Sequence, residues 1–406
     1  MKILFVGHLN YGNTCYSRYR GFVRNHFNVS KINIDDYRVF NNLFRRFLPN
    51  KNRFYFNKLN DQILHLVKKN VDFVFFDQPF YLSYQTIYKI KNETSTKIIF
   101  HFTDDIEYMN HGLYLGKQIF NAADFIFTCN KFSIKYLKSI GCKKVYYNEL
   151  GYDDEYIKLN VKRKFKSNNV SIGFIGHYEK DYYRSVEEVF YSIKKNNKLS
   201  EQKITFDVYG SGWFRKFLYS KKYIKKPDFF NKDYGGISHN KYWKLINNFD
   251  IGLGLFSSIN RNQTSGRTFE IPASNSLLLT KESQIINKIF TDRETAIFWN
   301  KKNINNLLKD VVDDKQLMNK ICQNGHELIR DNKFRWVDRI KEKVETMYTT
   351  EEFEQLSAKY THNKPISKEA LYYRTLFEKH FPNRDSLIPK YWMPNEEWQE
   401  EKLDDP

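Results

Sequence analysis

The 406-residue sequence predicts an α/β protein: two successive Rossmann-like parallel-sheet domains and then a helical tail of different character. Three observations carry this. Short apolar runs ending in Gly or a polar residue alternate with amphipathic stretches through the first 150 residues, and the same alternation restarts near residue 170. Between the two series, residues 158–169 are polar, basic and without apolar periodicity, the composition of a linker. From residue 351 the charge changes sign: this stretch carries 8 Lys and Arg against 12 Asp and Glu, whereas the whole chain stands at +19.

Lys2–Val6 reads as a strand closing on Gly7, followed by a polar loop and an amphipathic stretch, Cys15–Arg24. Further strands are expected at Val71–Phe76, Lys97–Phe102, Phe125–Cys129 and Lys144–Tyr147, with helix-like Leu82–Lys91 and Phe132–Ile140 between them. Strands alternating with helices imply crossover connections, hence a parallel sheet. The second series runs through a strand Val170–Ile175 ending in Gly176, a helix Arg184–Asn196, a strand Ile204–Tyr209 ending in Gly210, and an apolar strand Ile251–Phe256. Thr264–Asn275 reads as a loop turning into a short helix. Pro272, which has no N–H to donate, implies that this helix starts late or kinks. Ser276–Thr280 then reads as a strand and Asn303–Met347 as helical cover. The expected domains are 1–157, a linker 158–169, 170–350, and an acidic tail 351–406.

Composition excludes several classes. With 41% hydrophobic and 17% aromatic residues the chain can bury a large core and is not disordered by composition. The absence of a run of about 18 apolar residues, together with an opening too quickly polar for a secretory signal, predicts a cytoplasmic protein. The four cysteines, Cys15, Cys129, Cys142 and Cys322, form no C-x-x-C pair, which fits neither a disulfide framework nor a structural zinc site. The first 350 residues carry +23, a charge that attracts phosphate on nucleic acid, on anionic lipid or on a diphosphate substrate. No helix-turn-helix, zinc-finger or RNP pattern accompanies it, so nucleic acid is not an expected partner.

Open parallel sheets bind ligands beyond the carboxyl ends of their strands, which places function between the two halves. The loops there are Gly7-His8, Asp77-Gln78-Pro79, Thr103-Asp104-Asp105, Gly176-His177-Tyr178 and Gly210-Ser211-Gly212. Neither G-x-G-x-x-G nor a P-loop occurs, which argues against an NAD enzyme and a P-loop nucleotidase. The most informative stretch is Ser257–Ala273. Arg261 and Arg267 flank a hydroxyl- and glycine-rich loop entering a helix, a natural clamp for a diphosphate through charge and amide donors. Glu270, about one turn past Arg267, can accept two hydrogen bonds from a ribose diol. The bland alternative is an Arg-Glu surface pair. The apolar Phe-Glu-Ile-Pro-Ala setting favours the functional reading, because an unpaired carboxylate there is costly.

These residues resemble a GT-B glycosyltransferase of the group-1 type, in the spore-maturation CgeB-like branch. The likeness spans residues 1–350 and rests on Phe100-His101-Phe102-Thr103-Asp104-Asp105, Ala123-Asp124-Phe125-Ile126-Phe127-Thr128-Cys129-Asn130, Gly173-Phe174-Ile175-Gly176, Tyr209-Gly210-Ser211-Gly212-Trp213, and above all Gly266-Arg267-Thr268-Phe269-Glu270-Ile271-Pro272-Ala273 leading to Leu277-Leu278-Leu279-Thr280. The resemblance implies two Rossmann-like domains facing a cleft. A nucleotide-sugar would bind the second domain and an acceptor mainly the first. It implies that Glu270 holds the ribose and the Gly266-Arg267 turn the diphosphate, with Gly176, Gly210 and Thr268 at the donor site. Arg184, Arg261 and Arg267 are available to a departing diphosphate, so no obligatory metal and no other cofactor are expected. In one respect the chain departs from the pattern. Retaining relatives carry Glu-x7-Glu, and eight residues before Glu270 stands Asn262. An inverting enzyme needs a general base near the acceptor hydroxyl, and the first domain offers His8, Asp77, Asp104 or Asp105.

The tail is a separate matter. Ser367–His380 reads as a helix, and residues 352–397, with Tyr391-Trp392-Met393-Pro394, resemble the C-terminal end of glutamine-dependent asparagine synthetases. The Ser-Gly-Gly-x-Asp-Ser ATP loop and the N-terminal cysteine nucleophile of those enzymes are absent, so amide synthesis is not expected. The tail is then either an extra packed helix or a docking element for another protein. The expected activity is transfer of a sugar from a nucleotide-diphosphate-sugar to a hydroxyl of a glycan, lipid-linked or protein acceptor. Peripheral contact with an anionic membrane face suits the basic body. The alternative is a catalytically silent nucleotide-sugar- or glycan-binding protein.

Overall fold

The computed structural model describes residues 1–37, 51–107, 118–157, 169–198, 203–213, 237–257 and 260–360, with backbone alone for 51–56, 180, 181, 183 and 351–360. The expected linker, residue 169 apart, and the expected tail helix lie outside the described residues. The first sheet is assembled from β1 (Lys2–Gly7), β2 (Asn28–Asn33), β3 (Phe73–Asp77), β4 (Lys97–Phe102), β5 (Phe125–Thr128) and β6 (Val145–Tyr147) in the order β2-β1-β3-β4-β5-β6. Every pairing in it is parallel. Its central strands are buried along almost their whole length, which is why they read as unbroken apolar runs such as Ile-Leu-Phe-Val and Phe-Val-Phe-Phe. Strand β2 escapes such a reading. It lies at the sheet edge, and of Asn-Val-Ser-Lys-Ile-Asn only Ile32 is fully buried, so no apolar run marks it.

Helices α1 (Thr14–Arg24), α2 (Lys51–Val67), α3 (Tyr84–Glu93) and α4 (Lys131–Ser139) supply the crossovers. Two of them begin at side-chain caps that satisfy free backbone donors. Ser83 accepts from Thr86 N at the start of α3, and Asn130 accepts from Phe132 N and Ser133 N at the start of α4.

The second sheet comprises β7 (Asn169–Ile175), β8 (Lys203–Tyr209), β9 (Ile251–Gly254), β10 (Leu277–Thr280) and β11 (Ile297–Phe298) in the order β11-β10-β9-β7-β8, again all parallel. Around it lie α5 (Lys180–Asn196), α6 (His239–Ile246), α7 (Gly266–Ala273), α8 (Gln284–Ile289), α9 (Ile304–Asp313) and α10 (Lys315–Asp331). Strand β7 is the switch point, because the chain runs outward from it to β8 on one side and to β9 on the other. Close packing fixes Gly173 within it: a Cβ there would lie 2.2 Å from the ring of Phe249. Pro272 does not delay the start of α7. It falls in the last turn, and the helix stops one residue later.

The chain divides into two compact units, Met1–Lys343 and Val344–Pro406, so both sheets fall in the first. The final helix α11 (Trp336–Tyr360) explains part of this. Its beginning returns to the first sheet, where the Asn25 side-chain amide donates to Val337 O at 2.8 Å and the Arg18 guanidinium lies 5.2 Å from the Trp336 ring centre. A Cβ on Gly21 would sit 2.9 Å from Trp336 O, so only glycine lets the two helices approach this closely. Among the described residues no helix is long and apolar enough to cross a membrane.

Candidate functional site

The carboxyl ends of β7 and β8 are stitched together. Gly176 N donates to Tyr209 O at 2.9 Å, Tyr178 N to Ser211 O at 2.9 Å, and the Trp213 indole N–H to Gly176 O at 2.9 Å. This approach demands glycine at 210, where φ is +134° and a Cβ would fall 2.0 Å from Gly176 O. Helix α7 starts beside these loops. Ser265 N donates to Thr268 Oγ1 at 3.0 Å, which closes the helix start, and Thr268 is fully buried in that role. Gly266 is the first helical residue. A Cβ there would stand 3.4 Å from Glu270 Oε1, in ordinary van der Waals contact, so the bare glycine lies directly against this carboxylate.

Glu270 is buried and its Oε2 accepts from the Tyr242 hydroxyl of α6. Burial pushes its carboxyl up to about 7, although the Tyr242 hydrogen bond and the nearby Arg267 charge both pull it down. A carboxylate in this state ionises near neutrality. A ligand that supplies hydroxyl donors favours the ionised form.

The arginines are placed differently from what the sequence leads one to expect. Arg267 does not reach into open space. Its Nη atoms donate to Ile175 O at 2.8 Å and Leu255 O at 3.1 Å, and the guanidinium packs over Phe174 and Tyr182, with Nε buried and without a hydrogen bond. It straps the ends of β7 and β9 together beneath the site. Arg261 is drawn to the first domain, where its Nε donates to Asp105 and its Nη2 to Glu107 at 2.8 Å. The reason is electrostatic: Asp105 has no exposed surface, and a carboxylate so placed requires a cation. Asp105 is thereby engaged in an ion pair with Arg261 and has no exposed surface. Arg184 stands exposed on the second turn of α5.

Asp104 is the half-buried carboxylate at the end of β4 that meets the second domain. Its Oδ1 accepts from Asn260 at 2.9 Å and its Oδ2 from Gln78 at 3.3 Å. Asn130 also spans the gap, donating to Asn260 O at 2.9 Å and to Asn262 Oδ1 at 3.3 Å. Asn262, where retaining relatives carry a glutamate, is therefore held against the first domain. Asp77 is fully buried and paired with Arg18, the buried guanidinium holding its carboxyl well below the ordinary range. It serves the core rather than the cleft. His8, after β1, pairs its Nδ1 with Asp35 Oδ1 at 3.0 Å, the arrangement that orients an imidazole.

Glu149 and Asp35 are not marked by a sequence motif, and Gln78 only by its place in the expected loop after β3. Glu149 follows β6, is buried, and accepts from the Tyr147 hydroxyl, Leu150 N (2.9 Å) and Thr264 Oγ1 (2.8 Å), so it too links the sheets; burial raises its carboxyl. Asp35 lies past the edge strand β2, which itself leaves no pattern. Gln78 sits with φ +54°, a left-handed conformation that costs a non-glycine residue roughly 1–2 kcal/mol. Pro79 disfavours right-handed helical backbone at Gln78 and favours an extended one, so the left-handed conformation is a product of the tertiary structure.

Comparison with known proteins bears on this architecture. Residues 184–345 match the family model described as glycosyl transferase-like. The structure of HepE from Anabaena in complex with UDP-glucose superposes with a TM-score of 0.59 at 12% identity, over 86% of this chain and 100% of that one. Sucrose-phosphate synthase from Thermosynechococcus elongatus gives 0.59 at 10% identity over 88% and 99%. A glycosyltransferase from Rickettsia africae gives 0.56 at 15% identity over 85% and 97%. The fold is GT-B. In GT-B terms β1–β6 form the N-terminal domain and β7–β11 the C-terminal one, as the resemblance implied.

A second likeness concerns a C-terminal segment. It is 36% identical over 80 residues to a probable asparagine synthetase of Acanthamoeba polyphaga mimivirus, covering 20% of this chain and 14% of that protein. The asparagine synthetase of Gallus gallus is 34% identical over 93 residues, 22% and 17% of the two chains. The chain thus spans about one-sixth of the length of these curated relatives.

Proposed function

We propose that the protein is a glycosyltransferase that moves a sugar, of the hexose type, from a nucleoside-diphosphate-sugar to a hydroxyl of a glycan, lipid-linked or protein acceptor. The observation that carries this reading is Glu270: a buried carboxylate on the helix that starts at the carboxyl edge of the C-terminal sheet, with Gly266, which has no side chain, directly against it. A ribose diol there would donate to the carboxylate, while the amides that open α7 face the diphosphate. The family match over 184–345 contains this whole segment, and HepE is described in complex with UDP-glucose.

In the proposed reaction Asp104 takes the proton of the acceptor hydroxyl as that oxygen attacks the anomeric carbon. The sugar–phosphate bond breaks, and the nucleoside diphosphate leaves with the bonding pair. Asp104 suits the role because it lies between the domains; His8, oriented by Asp35, is the other residue of the N-terminal domain suited to base chemistry. No obligatory metal is proposed, since Asp105 turns into an ion pair with Arg261 and does not share a face with Asp104 for joint chelation.

A thermal-shift panel of UDP-, GDP-, CMP- and TDP-sugars tests the reading, because a ligand that binds the native state raises its melting temperature. One of the diphosphate classes should stabilise the wild type and fail to stabilise Glu270→Ala, and stabilisation by CMP-sugars alone would overturn the diphosphate donor. Indifference of the wild type to every nucleotide sugar would overturn the whole reading. Binding without turnover would instead support the non-catalytic alternative, which Asn262 in place of a glutamate favours.

A further inference from the structure

We propose that Gln78 is the positioning residue for the general base, fixing the Asp104 carboxylate from the strand next door; this rests on the functional reading above. Gln78 follows β3 directly, and its backbone N still donates to His101 O at 2.9 Å, so it is tied to β4 on the same edge as Asp104. From there the φ of +54° turns the side chain across the end of β4. Its amide nitrogen then meets both the Thr103 hydroxyl and, at 3.3 Å, Asp104 Oδ2. With the nitrogen on this side the amide donates to Asp104, which accepts and does not donate, whereas an amide oxygen turned toward Asp104 would be repelled.

Two further observations point to a working role rather than a packing one. The amide oxygen, Oε1, is buried with no hydrogen-bond partner, although burying an unpaired acceptor is unfavourable. Strained backbone at a non-glycine residue persists where the surroundings over-determine it, and such residues gather at reaction centres. Asn260 donates to Asp104 Oδ1 from the opposite domain, so the carboxylate is held on both oxygens and from both domains. Gln78, unlike Asn260, belongs to the same domain as the base and stays with it if the domains separate.

The test uses the full chain and measures nucleotide release from UDP-glucose, GDP-mannose, TDP-glucose and CMP-sialic acid. Gln78→Gly is the informative variant, since glycine accepts φ +54° and the protein should fold at least as well as the wild type. Asp104→Asn should lower kcat by about a hundredfold or more, and Gln78→Gly by about tenfold with the donor KM nearly unchanged. The double variant should be no slower than Asp104→Asn alone, because the two act as one unit. Gln78→Glu, alike in shape but repelling Asp104, should be slower than Gln78→Gly. Wild-type kcat in Gln78→Gly beside an impaired Asp104→Asn would overturn this inference alone, as would losses that multiply in the double variant. Full activity of Asp104→Asn would overturn the base assignment, and no release from any donor by the wild type would overturn the functional reading itself.

Discussion

Replacing Tyr242 by phenylalanine probes the one ionisation on which donor binding is proposed to depend. The Tyr242 hydroxyl donates to Glu270 Oε2 inside the protein, and Glu270 ionises at about 7 because burial outweighs that hydrogen bond and the Arg267 charge. A hydrogen bond to a charged group contributes about 1.5–3 kcal/mol, and about 1.4 kcal/mol corresponds to one pH unit. Removing the hydroxyl should therefore carry the Glu270 midpoint from about 7 to about 8–9. The ionised carboxylate accepts the ribose hydroxyls, so donor affinity should be high above the midpoint and fall below it. Titration calorimetry with the nucleotide sugar selected by the panel, from pH 6 to 9.5, should show that displacement. Glu270→Gln should give weak binding without it.

The stability curve carries the same sign. A carboxyl whose folded value lies above the unfolded 4.5 favours the fold while protonated, so its contribution is lost as pH rises from about 4.5 to about 7. In Tyr242→Phe that loss should extend to higher pH. A donor-binding midpoint that stays in place, or moves toward acid, would refute the reasoning.

Two further outcomes follow from the packing. Gly210→Ala should cost about 3 kcal/mol or more in thermal or urea unfolding, because φ is +134° and the new methyl would meet Gly176 O at 2.0 Å. Lys343, buried beside Arg18 and the rings of Phe127 and Trp336, is pushed down to about 7, chiefly by burial. It carries its charge below that pH in both folded and unfolded chains, so its burial destabilises most in acid, and stability should rise between about pH 7 and 10.5. Lys343→Met should raise the melting temperature most below pH 7, by an amount equivalent to about 1–4 kcal/mol, and flatten that rise.

The apolar runs at Lys97–Phe102 and Val170–Ile175 were legible because strands buried on both faces leave an unbroken hydrophobic record. The edge strand β2 left none, since five of its six residues retain contact with solvent and carry polar or small side chains. At the site, Glu270 could be singled out because a carboxylate within Phe-Glu-Ile-Pro-Ala contradicts its neighbours, and the structure does bury it. Its Tyr242 partner lies 28 residues away on another helix, a proximity that no local pattern encodes.

By itself, then, the chain's pattern determined two parallel sheets in series and a glycine-led helix carrying a buried glutamate. The use of each charge was decided only by tertiary structure. Arg261 and Arg267 read alike as phosphate clamps in one dimension, yet one neutralises Asp105 across the cleft and the other ties β7 to β9. Asp104 and Asp105 are neighbours in sequence, but Asp104 is half-buried and accepts from Asn260 and Gln78, whereas Asp105 is fully buried in an ion pair with Arg261. Spacing along a chain sets which residues share a face of a helix or strand. Which of several charges stays available to a ligand depends on the pairs that long-range packing forces together, because a charge buried without a partner is too costly to persist.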